Sequence, residues 1–359
     1  MYNKYYEYKK QVTYNSGQTW SDTGEYTPSG ATIGTYDTLE ECSGGTINYK
    51  KKYFTIVTVT ECTVKFNYAT GANYFYYSID GGYSWIGHQS GTTITMDSNS
   101  KILVKGYNNS PGVVDGDLGN FTTTGNFSVE GNIMSLFYGD NFSGETYFPT
   151  GGGNQWIFTP KRLFKDCTGL ISAENLILPK SSQNGCYRRM FENCTSLTTP
   201  PELPATTLAN SCYYGMFSNC TSLTTVPSNM LQATTLANSC YYGMFSNCTS
   251  LTTAPILSAT TLENFCYCRM FEGCTSLTTA PNLPATTLKQ SCYASMFSGC
   301  TSLDSITSLA TDIAATNCTT NWVNGVAASG TFYKNSSMSS WSTGDSGIPS
   351  GWTVQNYSS

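Results

Sequence analysis

Charge is scarce in this sequence: Asp, Glu, Lys and Arg together make up 11% of 359 residues. Histidine occurs once, at His88. The formal net charge of −5, with no basic stripe to neutralise phosphates, argues against a nucleic-acid partner. No apolar run approaches the ~18 residues of a membrane span, so no membrane insertion is expected. The start, MYNKYYEYKK, lacks the apolar core of a secretory leader. Catalytic signatures are missing too. There is no GxSxG, HExxH or phosphate-binding loop. A cysteine nucleophile would have only His88 for a base, and no motif surrounds it, so His88 reads as a loop or surface residue. No CxxC pair supports a metal site, and the DGD at 115–117 lacks the later ligands of a calcium loop. The chain is therefore read as non-enzymatic, with no metal and no cofactor.

What the chain has in abundance is repetition. ATTLANSCYYGMFSNCTSLTT at 205–225 recurs letter for letter at 233–253. Aligned on Phe164, Phe191, Phe217, Phe245, Phe271 and Phe297, the unit FxxCTSLTTxPxLPATTLxxxCYxxM returns at intervals of 27, 26, 28, 26 and 26 residues. That period belongs to solenoids, in which each coil buries its apolar face only against its neighbours. Twelve of the 15 cysteines fall into two registers. Cys167, Cys194, Cys220, Cys248, Cys274 and Cys300 form one, and Cys186, Cys212, Cys240, Cys266, Cys292 and Cys318 the other. Such registers read as ladders of small buried thiols rather than disulfides, because stacked side chains point in parallel.

Leu208, Cys212 and Met216 stand four apart, which predicts a helix of two to three turns capped by Thr207 after the turn at Pro204. The β-branched SLTTxP predicts a short strand. Comparison between coils separates core from surface. Leu, Cys, Tyr, Met and Phe stay fixed, so Tyr213 and Tyr241 are expected in the core. The pair after each Cys-Tyr varies: Arg188–Arg189, Tyr214–Gly215, Tyr242–Gly243, Cys268–Arg269 and Ala294–Ser295. These pairs are expected on the outer helical face. Thr198, Thr224, Thr252 and Thr278 are expected to project from the strand face as a threonine ladder that completes the sheet.

These repeats resemble the BspA-like leucine-rich repeats of bacterial surface proteins, in the CTSLTTAPxLPATTL form found in gut Bacteroidales and their phages. The resemblance covers about 160–326. The segment GTFYKNSSMSSWSTGDSGIPSGWTV, 330–354, resembles the module that closes such arrays, and CTTNWVNGV at 318–326 is a degenerate last coil.

The front half alternates strand-like runs with Gly/Asn turns: YFTIVTV, CTVKFNY, YFYYSI, TTITM, KILVKGY and FSVEG. This spacing predicts an antiparallel sandwich. The expected division is 1–45 as a small β-rich segment, 46–154 as a β-sandwich-like domain, 155–326 as an α/β leucine-rich-repeat solenoid and 327–359 as a cap. SIDGGYSW at 78–85 fits the Asp-box of sialidases, and TYNSGQTW at 13–20 is a looser copy. With four arginines in the whole chain, the Asp-box reads as a hairpin device: Asp80 bonds the turn, Gly82 supplies φ > 0 and Trp85 packs beneath.

The functional expectation is a phage virion protein, fibre-like on tail or head, whose solenoid binds a cell-surface glycan or protein of a gut bacterium. A bacterial adhesin of the same repeat type, or a purely structural decoration, are the alternatives. A virion protein released by lysis needs no leader, and its N-terminal region would attach to other virion proteins. A trimer is the usual assembly of a fibre, although no heptad or collagen-like segment enforces one. The expected binding residues are Tyr214, Tyr242, Arg188, Arg189 and Arg269, with the threonine ladder second.

Overall fold

A computed structural model describes residues 36–43, 46–68, 75–106, 118–142, 145, 148, 159–180, 183–338 and 341–357. The strand-like run at 5–14, the loose Asp-box copy at 13–20, DGD at 115–117 and the glycine run at 151–153 lie outside the described residues. The described residues are β-rich, with several open sheets and almost no helix among them.

The alternating runs of the front half become strands. In chain order these are β1 (Tyr36–Ser43), β2 (Thr46–Lys51), β3 (Phe54–Thr58), β4 (Cys62–Asn67) and β5 (Phe75–Ser78). They continue as β6 (Ile86–His88), β7 (Thr93–Met96), β8 (Lys101–Lys105), β9 (Asn120–Thr124) and β10 (Phe127–Asn132). On β4, Cys62, Val64 and Phe66 are buried while Thr63, Lys65 and Asn67 are half-buried, the period of two that a strand imposes. A three-stranded sheet, β7-β4-β9, packs against a six-stranded one that adds β11 (Leu170–Ile177) in the order β11-β10-β3-β8-β5-β6. Phe54 of the larger sheet meets Phe121 of the smaller, ring centroids 5.5 Å apart.

The strand that ends the larger sheet also begins the solenoid. β11 (Leu170–Ile177) pairs parallel with β10 and bridges through Ser172 to Thr199 of the next coil. At the far end β12 (Ser305–Ser308), β13 (Thr331–Lys334) and β14 (Thr353–Asn356) form a parallel ladder, so the ladder continues past the last recognisable repeat. There Trp322 stacks on Tyr293 at 6.2 Å and donates its indole N–H to the Gly347 carbonyl at 2.7 Å. Between these ends the SLTTxP segments supply single bridges, such as Thr253–Thr279, rather than strands.

The expected helix in each coil is not formed. Residues 209–220 are a succession of tight turns in which Cys212, Tyr214, Met216, Ser218 and Cys220 donate their N–H groups three residues back. The N–H groups between them, on Ser211, Tyr213, Gly215, Phe217 and Asn219, donate instead to carbonyls of the next coil. Every fourth residue is left-handed: Ser211, Gly215 and Asn219 have φ of 56°, 59° and 63°. This corkscrew repeats every four residues and so keeps Leu208, Cys212, Met216 and Cys220 in one buried line. A helix would rotate the same residues by about 40° per step. Thr207, expected as a helix cap, bridges to Thr235 of the next coil.

Register then does the packing. Phe164, Phe191, Phe217, Phe245, Phe271 and Phe297 form one stack with centroids 5.4–5.8 Å apart. Tyr187, Tyr213, Tyr241, Tyr267 and Tyr293 form a second. The Phe stack does not stop at the solenoid: Phe164 lies 5.4 Å from Phe121, joining it to the sandwich core. Cys194, Cys220, Cys248, Cys274 and Cys300 each donate Sγ–H to the phenylalanine carbonyl one coil back, at 3.0–3.2 Å. Those carbonyls already accept an N–H from their own coil, so the thiol satisfies the second lone pair. Cysteine suits the site because it is a compact hydrophobe that still carries a donor. The described cysteines are free and buried.

Burial pushes the thiols of Cys186, Cys240 and Cys292 from 9.0 up to about 12. Above pH 9 the unfolded chain therefore loses thiol protons that the folded chain keeps, and stability falls as pH rises. The melting temperature is expected to be flat below pH 8.5 and to drop steeply across the window from about 9 to about 12. Equal melting temperatures at pH 8 and pH 11 would show that the ladders are not buried protonated thiols.

Candidate recognition surface on the solenoid

The variable pairs after Cys-Tyr lie on the corkscrew, where the four-residue repeat brings equivalent positions of successive coils side by side. The expected outer face is only half correct. Arg188, Tyr214 and Tyr242 are half-buried and Arg269 is exposed, whereas Gly215, Gly243 and Cys268 are buried. The second residue of each pair is one of the left-handed positions: Arg189, Gly215, Gly243 and Arg269 have φ of 56–59°.

Four of the five expected binding residues touch in sequence along the column. The Arg188 guanidinium sits 4.6 Å from the Tyr214 ring centroid and that of Arg189 5.6 Å. Tyr214 and Tyr242 stack 4.6 Å apart with ring planes 2° from parallel. Burial foremost, with Cys268 beside it, pushes the Tyr242 phenol up to about 12. Arg269 follows, its side chain 51% exposed, with Nη1 3.5 Å from Glu272. The tyrosines thus use their ring faces on each other and on arginine. They offer a partner their edges, not a flat stacking platform.

The two adjacent arginines of the first coil are held differently. Arg189 Nε lies 3.7 Å from Glu192, which also pairs with Lys165. Arg188 has no carboxylate within ion-pair reach among the described residues, and its Nε has no hydrogen-bond partner. Its guanidinium is held by the Tyr214 ring instead.

Thr198, Thr224, Thr252 and Thr278 are exposed. The hydroxyls of Thr198 and Thr252 donate to the carbonyls of Ile171 and Thr224 one coil back, at 3.2 and 3.1 Å, so those two hydroxyls serve the sheet. Tyr213 and Tyr241 are buried in the tyrosine stack. Sequence comparison did not pick out the asparagine ladder at the left-handed corners. Asn219 Nδ2 donates to Asn193 Oδ1 at 2.7 Å and Asn247 to Asn219 at 3.0 Å. The recurring Asn before the ladder cysteine was its signal.

In the sandwich the Asp-box behaves as a turn. Asp80 Oδ1 accepts from Ser78 Oγ at 2.6 Å and from the Ser84 N–H at 3.0 Å; Gly82 has φ of 97°. These donors hold the Asp80 carboxyl well below its usual range. Trp85 packs edge-on to Tyr53 at 4.9 Å and beneath Lys105 at 4.1 Å. His88, expected in a loop or at the surface, is a core residue ending β6 and 2% exposed. Its ring meets Phe66 edge-on at 4.7 Å and its Nε2–H donates to the Thr92 carbonyl at 3.0 Å. Burial lowers its pKa, which suits a neutral packing residue. No group of His, Cys, Asp and Glu among the described residues is arranged to hold a metal ion. No described helix is long and apolar enough to cross a membrane.

Family models, curated proteins and solved structures provide no match to this chain.

The tyrosine column makes a specific demand on Cys268, which Tyr242 partly covers. Tyr242→Ala is expected to cost about 1 kcal/mol of stability through the lost ring pair. It should also speed alkylation of Cys268 at pH 8 well above that of the ladder thiols, read by peptide mass spectrometry. An unchanged Cys268 rate would mean that Tyr242 does not shield it.

Proposed function

We propose that this chain is a non-enzymatic recognition protein of a phage virion, a fibre-like component of tail or head. Its solenoid binds a glycan or protein on the surface of a gut bacterium. One observation carries the reading: side chains that hold coil to coil are kept in register, whereas a surface column containing Arg188, Tyr214, Tyr242 and Arg269 changes from coil to coil. A spacer needs no such column. The BspA-like resemblance of the repeats supports a cell-surface target. The buried, unpaired thiol ladders support folding in a reducing compartment, as for a particle assembled inside a cell before release. The sandwich, whose core is continuous with the first coils, is the natural attachment side for other virion proteins.

Density-gradient fractionation of a producing culture, with an antibody to the chain, tests the setting. Banding with intact particles is the expected result; recovery with bacterial envelopes would make the protein a surface adhesin instead. Recognition is tested by excising 205–232, which joins Pro204 to Ala233 and leaves the coil register intact. The shortened chain should fold and bind its target cells at least tenfold more weakly, because the Tyr214–Tyr242 pair is gone. Undiminished binding would move recognition off this column.

A further inference from the structure

The parallel ladder of the last coils ends on β14, and it ends there with an open edge. Thr353 and Tyr357 donate their N–H groups to the carbonyls of Gly330 and Lys334, at 2.9 and 2.8 Å. Strand backbone alternates, so Val354 and Asn356 turn their N–H and C=O groups away from β13. Among the described residues no strand lies on that side. All of β14 is exposed, and Val354 and Tyr357, at 44% and 38%, are among the exposed large apolar side chains. Open edges are normally blunted by charge, proline, a bulge or shortness, because they template pairing with another chain. Elsewhere this protein follows that rule: a bridge from Ser172 to Thr199 carries β11 into the next coil, and β6 is only three residues long. β14 has none of these devices. It reads TVQN, without charge or proline, and pairs with β13 residue for residue from Thr353 to Asn356 with no bulge.

We propose that β14 pairs antiparallel with β14 of a second copy of this chain, across a two-fold axis at Gln355. In that register Val354 and Asn356 exchange N–H···O=C bonds with Asn356 and Val354 of the second copy. Every outward-facing group of the strand is then bonded. Gln355 lies opposite itself, and Tyr357 opposite Thr353, an aromatic–β-branched pair of the kind that stabilises sheets. The charge pattern favours a second copy over a foreign strand. Lys334 and Asp345 are the only charged side chains from 330 to 359, so the edge meets its own copy without repulsion. A charged partner would find almost nothing here to attract it. Few residues take part, so the pair is reversible and comes apart on dilution. The pairing does not depend on what the tyrosine column binds. It gives each assembly two solenoids, and two sites held together grip a surface more tightly than either alone.

The test uses the full chain with one added cysteine; the described native thiols are buried and do not compete. Gln355→Cys sets two thiols face to face across the axis, where mild oxidation should join them. Thr353→Cys sets them roughly 13 Å apart at about 3.3 Å per residue, beyond the ~7 Å between Cα atoms that a disulfide spans. Gln355→Cys is expected to give a covalent dimer at least tenfold faster than Thr353→Cys. Sedimentation of the parent chain should show a dimer that dissociates on dilution. The variant V354K/N356P should stay monomeric and keep the melting temperature of the dilute parent, because proline at 356 removes only an outward N–H. No covalent dimer from Gln355→Cys, equal cross-linking of the two cysteine variants, or a double variant that dimerises like the parent would each overturn the proposal. A parent that is monomeric at every concentration would overturn it too, and would leave the edge to a strand of another protein.

Discussion

The fold depends on one backbone arrangement, the alternation of hydrogen-bond direction along the corkscrew. Each coil closes its own turns with every second N–H and sends the others into the next coil. A helix would have satisfied all of them internally and left the coils to associate through side chains alone. Here the backbone itself sets the registration between coils. The aromatic stacks, the thiols on phenylalanine carbonyls and the asparagine corners follow from it, because each requires equivalent residues to sit at one height. A solenoid of this kind tolerates verbatim duplication: a copied coil meets the same donors and acceptors as its parent.

The same arrangement explains why the repeats were legible and their local structure was not. Period, core residues and both cysteine registers can be read directly from the letters. The helix was inferred from apolar residues spaced four apart, a spacing near enough to 3.6 over three positions to mislead. Two features argued against it. The spacing continues strictly through Cys220, where a helical face would have drifted. The residues one place before each apolar position, Ser211, Gly215 and Asn219, are types that enter the left-handed region readily or compete for backbone bonds. In the front half, alternation located β4, β8 and β10, whereas β6 is only Ile86–His88 and carries too short a pattern to register. His88 was misplaced for a related reason: a histidine beside glycines reads as loop, yet Phe66 and the Thr92 carbonyl give it a place in the core.

The variable column was legible in position but not in geometry. Variation between coils pointed to Arg188, Tyr214, Tyr242 and Arg269, and they do adjoin one another in order. What sequence could not convey is that stacking turns the rings face to face, so their largest surfaces are spent within the protein. The balance between the arginines was equally hidden. Arg189 and Arg269 each have a glutamate three residues on, whereas Arg188 has a ring where a carboxylate would be.

The continuity of the ladders bears on how the parts act together. Because Phe121 stacks on Phe164 and β10 pairs with β11, the sandwich presents the first coil with much the same surface that a preceding coil would. At the other end Trp322 meets both aromatic stacks, at Tyr293 and at Phe297. An array with open ends would fray from its terminal coils, since each coil is stabilised only by its neighbours. Closing both ends with large aromatic residues gives the middle coils two flanking partners. The outward column can then change from coil to coil on the most regular part of the molecule, even though its rings and guanidinium groups still pack on one another.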